Sequence, residues 1–352
     1  MVLFGIIAAC SPPPLRTRNV VLVVTDGLRW QDVFSGADSS ILFGDSRYLG
    51  DTTAIRRDFW RPTVDERRRA MMPFLWNTIA KNGQIFGNAA AGSRAQVTNG
   101  LKFSYPGYNE MLFGAPDPRI RSNDFGPNPN VTVFERLAKS RTFAGRVAAF
   151  ATWDAFNDIF NRQRAGFVIR AGWTPPYATP VSRSDSLLDR LYATTSRMWG
   201  DDAYDSFMQA SLMDYLRTHR PRVLFVGYGE TDEWAHAGRY DRVLRSAHAV
   251  DSYLRELWTT LQSMPEYRGT TTMIVTTDHG RGSTGTEWQD HGEHVDGAEN
   301  VWIAAIGPDT PAKGERSNVD RVTQSQIAGT VAALLGQSYA AGASPISEIV
   351  RR

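Results

Sequence analysis

Apolar residues in this chain gather into short, nearly continuous runs separated by longer amphipathic stretches. The clearest run is Asn19–Thr25, Asn-Val-Val-Leu-Val-Val-Thr. It is rich in β-branched residues and has no polar alternation. That pattern predicts a strand covered on both faces, as in a parallel sheet. Similar runs at Arg146–Ala151, Val223–Val226, Thr272–Thr276 and Val301–Ile306 predict four more strands. Between them, Met72–Asn82, Thr132–Ser140, Asp241–Leu261 and Ile327–Leu335 repeat apolar residues at helical spacing. In Asp241–Leu261 the stripe is Val243, Leu244, Ala247, Val250, Leu254 and Leu257, which marks the buried side of a long amphipathic helix. Strands alternating with helices predict an α/β domain with a mostly parallel central sheet and helices on both faces.

Two stretches break the rhythm. Residues 34–64 are polar, rich in Asp and Arg, and aperiodic; residues 162–202 contain Trp173-Thr-Pro-Pro-Tyr177 before a helical pattern returns. Both read as inserted cap segments, and long irregular stretches of this kind often form lids or binding loops. Trp173, Tyr177, Trp199 and Tyr204, in and just after the second insert, read as local core. The expected organisation is a leader and tether over residues 1–18 and one domain over residues 19–352.

The leader reading rests on the single cysteine, Cys10, which also excludes an intrachain disulfide. A short apolar run ends in Ile7-Ala8-Ala9-Cys10, followed by Ser11 and three prolines. Small residues before a Cys resemble the lipobox of bacterial lipoproteins, in which the Cys carries lipid. The expectation is a bacterial envelope protein, periplasmic or surface-facing, tethered to a membrane through Cys10. Met1-Val2 lacks the usual positive charge of a signal peptide. Of the 352 residues, 42% are hydrophobic and 22% charged, enough for a sizeable core. A net charge of +2 gives no electrostatic reason to expect a nucleic acid partner.

The candidate chemistry follows the strands. In open parallel sheets ligands sit beyond the carboxyl ends of the strands. Asp26 follows the first run, Asp232 comes shortly after Val223–Val226, and Asp278-His279 follows Thr272–Thr276. Asp232 and His236 are four apart, so on a helix they share one face and can share a cation. Asp278 and His279 offer a carboxylate and an imidazole on consecutive residues, with Gly280 easing the turn. Asp26 can join that pair, and His291 can complete the Asp232–His236 set, with His294 as the competing ligand. Carboxylate plus imidazole suits zinc, and manganese or iron less decisively. Ser104, in Phe-Ser-Tyr-Pro-Gly-Tyr-Asn, is a weak nucleophile unless a metal lowers its pKa; taken alone its segment reads as a turn. Asn123, or in second place Asn109, can donate to a phosphoryl oxygen. His219 and His248 read as surface groups.

With these residues together the chain resembles the alkaline phosphatase superfamily, in its type I phosphodiesterase/nucleotide pyrophosphatase and sulfatase-like branch. The carrying segments are Val-Thr-Asp26-Gly-Leu-Arg, Ser104-Tyr-Pro-Gly-Tyr-Asn, Asp232-x-x-x-His236-x-Gly, Thr-Thr-Asp278-His279-Gly and His291-Gly. The resemblance implies one metal held by Asp26, Ser104, Asp278 and His279, and a second by Asp232, His236 and His291. It implies a metal-dependent hydrolase with a covalent phospho-enzyme on Ser104. Tyr108 stands where sulfatases carry an Arg, which disfavours a sulfatase. Gly227 stands where alkaline phosphatases proper carry an acidic ligand for a third metal, which disfavours a three-metal monoesterase. A phosphodiester, as a small molecule or lipid, is the expected substrate. Within the superfamily the alternatives are a phosphomonoester or a phosphonate. An intramolecular phosphotransferase, or a non-catalytic envelope lipoprotein that binds a phosphorylated ligand, are the competing classes.

Overall fold

The computed structural model describes residues 14–174, 183–283 and 285–350. Cys10 and Tyr177, and with them the leader reading, lie outside the described residues.

Among the described residues, eleven strands form two sheets. In chain order they are β1 (Asn19–Thr25), β2 (Gln84–Phe86), β3 (Ala95–Gln96), β4 (Val147–Ala151), β5 (Val168–Ala171), β6 (Val223–Tyr228), β7 (Thr271–Thr276), β8 (Asn300–Val301), β9 (Ile303–Ile306), β10 (Gly314–Glu315) and β11 (Val322–Thr323). The main sheet has the order β10-β2-β9-β7-β1-β6-β4-β5; the small one has the order β11-β3-β8. In the main sheet only β9 runs against its neighbours, pairing antiparallel with β7 and with β2. The rest are parallel, with Val20–Thr25 of β1 in register with Val223–Tyr228 on one side and Asn19–Val24 with Thr271–Thr276 on the other.

Every residue of β1 is buried. Val21 and Val23 enter one core, while Val20, Leu22 and Val24 enter the opposite one. This is the physical meaning of the unbroken apolar run: alternate side chains reach opposite faces, and both faces are covered. The helices Asp205–His219 and Tyr240–Ser263 pack on the first face, the latter through all six residues of its apolar stripe. The helices Ser104–Phe113, Val133–Lys139 and Gln326–Leu334 pack on the second.

Several expectations change. Val301–Ile306 is two strands rather than one, because the chain leaves the small sheet after Val301 and enters the main sheet at Ile303. Met72–Asn82 is helical but widens to π geometry over Leu75–Ile79. Residues 34–64 carry short helices, among them Ser39–Leu42 and Thr52–Phe59. Residues 162–202, read as an insert above the sheet, supply its edge strand β5, which pairs with β4. Trp173 and Tyr204 do form a local core with Tyr192 and Phe207, while Trp199 packs edge-on against Tyr204 and Trp234.

Candidate active site

The central strands β7, β1, β6 and β4 end side by side, and the residues after each of them meet. Asp26 is the first residue after β1. Gly229 follows β6 and precedes the helix Glu230–His236, whose first turn carries Asp232. Thr277, Asp278 and His279 follow β7. Ser104 arrives from a more distant segment. It does not lie in a turn, as its sequence alone indicates, but opens the helix Ser104–Phe113. Pro106 is tolerated there because the first turn leaves its N–H groups without intrahelical partners. The helix dipole makes this end favourable for a phosphoryl group. Asn123 Oδ1 accepts from the Tyr105 N–H at 3.0 Å, which leaves the Asn123 NH2 as the group available to the cavity that it lines.

The donor atoms fall into two sets. Asp26, Asp278 and His279 each offer one atom within 4.8 Å of the others, and so do Asp232, His236 and His291. His279 Nε2 lies 3.3 Å from Asp26 Oδ1, 3.4 Å from Asp278 Oδ2 and 3.3 Å from Ser104 Oγ. In the second set His236 Nε2 lies 3.1 Å from Asp232 Oδ2 and 2.9 Å from His291 Nε2. The sets adjoin, since His279 Nε2 is 3.7 Å from Asp232 Oδ1. Ser104 stands at the edge of the first set and faces the cavity. His294 is exposed and belongs to neither set, so geometry favours His291.

This donor set fits divalent cations. Asp26 Oδ1, Asp278 Oδ2 and His291 Nδ1 are buried without a hydrogen-bond partner, a costly state unless something else satisfies them. The electrostatics agree. Burial, with Asp26 beside it, raises the Asp278 carboxyl well above the ordinary range. Burial lowers the His279 imidazolium, but Asp278 and Asp26 outweigh it and carry the group up to about 9. The first set therefore retains protons that a metal would displace. Burial and the nearby His279 depress both His236 and His291, keeping them neutral as ligation requires.

Surrounding groups hold the donors. Tyr108 donates to Asp26 Oδ2 at 2.8 Å, the Gly27 N–H donates to Asp278 Oδ1 at 3.1 Å, and Thr231 Oγ1 donates to the Asp26 carbonyl at 2.5 Å. The sequence reading missed Arg281. Its buried guanidinium donates to the Gly27 carbonyl at 3.1 Å and the Asp232 carbonyl at 3.2 Å, and also bonds Asp232 Oδ1 and the Gln289 carbonyl. Burial lowers it to about 9. It ties together the segments after β1, β6 and β7. The one available signal was its place two residues after His279.

Asn109 drops out as a donor to substrate. It is buried, and its side chain bonds Asn128, Asn130 and the Ala115 carbonyl. His219 is exposed as expected and stacks on Tyr215. His248 is not a free surface group: it is half-buried, with Nδ1 2.9 Å from the Met71 carbonyl. Gly227 sits among Phe225, Ala151 and Phe156, where an added Cβ meets carbon at 3.2–3.3 Å. That apolar lining does not suit a carboxylate ligand.

The fold is that of the alkaline phosphatase superfamily. Among solved structures it is similar to a mutant of alkaline phosphatase PafA, with a TM-score of 0.60 and 10% identity over 97% of this chain and 100% of that one. It is similar as well to the phosphonate monoester hydrolase of Agrobacterium radiobacter (TM-score 0.56, 14% identity, 94% of this chain and 77% of that one). A third is the lipoteichoic acid synthase LtaP of Listeria monocytogenes (TM-score 0.59, 10% identity, 94% and 75%). At these identities the likeness is one of fold. No curated protein matches the sequence significantly. The family model for type I phosphodiesterase / nucleotide pyrophosphatase matches residues 49–326. The chain belongs to that family and is a phosphoester hydrolase. Because the match begins after Asp26, the place of Asp26 in the site rests on geometry.

Proposed function

We propose that the protein is a two-metal phosphodiesterase with Ser104 as nucleophile. The observation that carries this reading is the convergence of six donors from distant segments into two adjoining sets, with Ser104 Oγ 3.3 Å from His279 Nε2. Asp26, Asp278, His279 and Ser104 would hold one ion; Asp232, His236 and His291 would hold the other. Zinc suits these donors best, with manganese second. Bound there, the ions would supply the positive charge that lowers the pKa of the Ser104 hydroxyl and offsets charge gathering on the phosphoryl oxygens.

The chain's own residues do the rest. Ser104 loses its proton to solvent, and Oγ attacks phosphorus. The P–O bond to one alcohol breaks, and that alcohol leaves after taking up a proton. Water then attacks the phosphoserine, releases the phosphomonoester and restores Ser104. The Asn123 NH2 and the dipole of the helix Ser104–Phe113 orient the phosphoryl oxygens. A diester is favoured over a monoester because, among the described residues, no Lys or Arg lines the cavity to balance a second phosphoryl charge.

Trapping tests the covalent route. A slowly turned-over diester should leave a phosphoryl mass on the peptide carrying Ser104. Ser104→Ala should lower kcat by at least ~10³-fold while retaining bound metal, since loss of an activated nucleophile removes the covalent route. Full activity in that variant excludes the covalent route. The envelope address is a proposal of its own, supported by Ile7-Ala8-Ala9-Cys10. Metabolic labelling with palmitate should mark the protein in cells, and Cys10→Ser should abolish the label.

A further inference from the structure

We propose that the phosphodiester substrate carries a cationic alcohol, an amino or quaternary ammonium group, on one side of the phosphorus; this rests on the phosphodiesterase reading above. The cavity that Ser104 faces has a volume of about 750 Å³. One of its walls holds Asp26 of the first donor set and Asp232, His236 and His291 of the second. The remainder is lined by six further carboxylates, Asp124, Asp154, Asp158, Asp201, Asp202 and Glu233, together with Trp153. Asp154 and Asp158 come from the chain after β4, Asp124, Asp201 and Asp202 from the segments around residues 124 and 201, and Glu233 from the helix Glu230–His236. Among the described residues, none of the six forms an ion pair with Lys or Arg, and no Lys or Arg lines the cavity.

Such a wall repels anions. Two divalent ions would be largely balanced by Asp26, Asp232, Asp278 and a Ser104 alkoxide, so little positive charge would remain to offset the acidic wall, even with Asp154, Asp202 and Glu233 held toward their protonated forms by burial and by one another. A polyphosphate substrate would meet that field unshielded. A zwitterionic diester would not, because its phosphate would sit at the donor sets while its cation faced the acidic wall.

The wall is arranged for an organic cation rather than a third metal ion. Among the described residues only the two donor sets bring three ligand atoms within 4.8 Å of one another, and none of the six acids belongs to either. Spread carboxylates fit a bulky ammonium, whereas a divalent ion needs its oxygens converged on one point. Trp153 is half-buried and lines the same space, and aromatic rings are favoured partners of ammonium groups. Asp202 supports the same reading. It is 5% exposed, its Oδ1 accepts from Thr152 at 3.1 Å, and it reaches the cavity without a cationic partner. Burial, then Glu233 and Asp26, raises its carboxyl well above the ordinary range. An ammonium in the cavity would relieve that repulsion.

The test compares two chromogenic diesters of the same shape on the zinc-loaded full chain: p-nitrophenylphosphocholine and its neutral isostere, p-nitrophenyl 3,3-dimethylbutyl phosphate. The expected kcat/KM ratio favours the choline ester by roughly tenfold or more, the scale of one cation–π contact plus screened charge pairs. Asp154→Asn, at an exposed position that tolerates substitution, and Trp153→Leu should each move the ratio toward one. Equal rates on both esters, or a ratio that neither substitution moves, overturns the inference. So does a third bound metal ion that Asp202→Asn removes, which would make the wall a metal site. If bis-p-nitrophenyl phosphate is turned over without a choline preference, only this inference fails. If no diester is turned over, the phosphodiesterase reading fails first and takes the inference with it.

Discussion

Gly27 shows how tightly single residues constrain the site. It has a φ of +57°, and a Cβ there would lie 2.3 Å from Asp232 Oδ1 and 2.9 Å from Arg281 Nε. Both the left-handed backbone and the space exclude a side chain. Gly27→Ala should push Asp232 out of its set and lower kcat by about 10²-fold, the usual cost of misplacing a reacting group by an ångström. Steady-state kinetics beside a far-UV spectrum of the variant separate this from unfolding. Tyr108→Phe removes the 2.8 Å bond to Asp26 while keeping the ring packed against Phe156. It should weaken zinc binding ~10-fold, as loss of a group that orients a ligand does. Competition with a chromophoric chelator measures it, and an unchanged affinity would mean that Tyr108 only fills space. At this scale the donors were readable because carboxylates and imidazoles placed after apolar runs are chemically distinctive. Arg281 was not readable: an arginine in a loop gives no local sign that it will be buried under three strand ends.

At the scale of elements, Asp251 in the helix Tyr240–Ser263 accepts from the backbone N–H groups of Phe74 and Leu75, both at 2.7 Å, and so caps the neighbouring π-helical segment. Burial nevertheless dominates those two bonds, and the opposing His248 and Arg255, raising the carboxyl to about 6. The folded chain therefore binds this proton more tightly than the unfolded one. The contribution is fully present below the unfolded value of 3.8 and is lost as pH rises through about 6. Its size is on the order of 2–3 kcal/mol. Urea titrations of the native chain and Asp251→Asn should show the native chain losing stability relative to the variant between pH 4.5 and 7; parallel profiles would contradict this. The amphipathic stripe of that helix was legible because six residues repeat at its period. The reversed direction of β9 was not, because a buried apolar run looks the same whichever way it points. The short strands β2, β5 and β10, and with them the edge pairings, were invisible for a related reason. Strands of two to four residues carry too little pattern, and long-range pairing decides them.

For the whole molecule, the donor sets join the chain after β1, β6 and β7, so bound metal should stabilise the fold as well as activate it. Any ligand bound only by the folded state adds roughly 2.7 kcal/mol when its concentration is a hundredfold above Kd. A chelator should therefore lower the melting temperature by several degrees, and added zinc should restore it. A melting curve indifferent to chelation would mean that the sets hold no ion. The parallel architecture was legible from the spacing of β-branched runs, and that architecture places the site at the carboxyl edge of the sheet. The cavity wall was not, because Asp124, Asp154 and Asp202 meet only in the folded chain. The central claim is metal-dependent phosphodiester hydrolysis through Ser104. Its most direct test is turnover of bis-p-nitrophenyl phosphate and p-nitrophenyl phosphate by the zinc-loaded chain, repeated after chelation and in Ser104→Ala. Faster turnover of the diester, lost in both controls, is the predicted result. Absence of turnover with two ions bound, or turnover that survives either control, would contradict it.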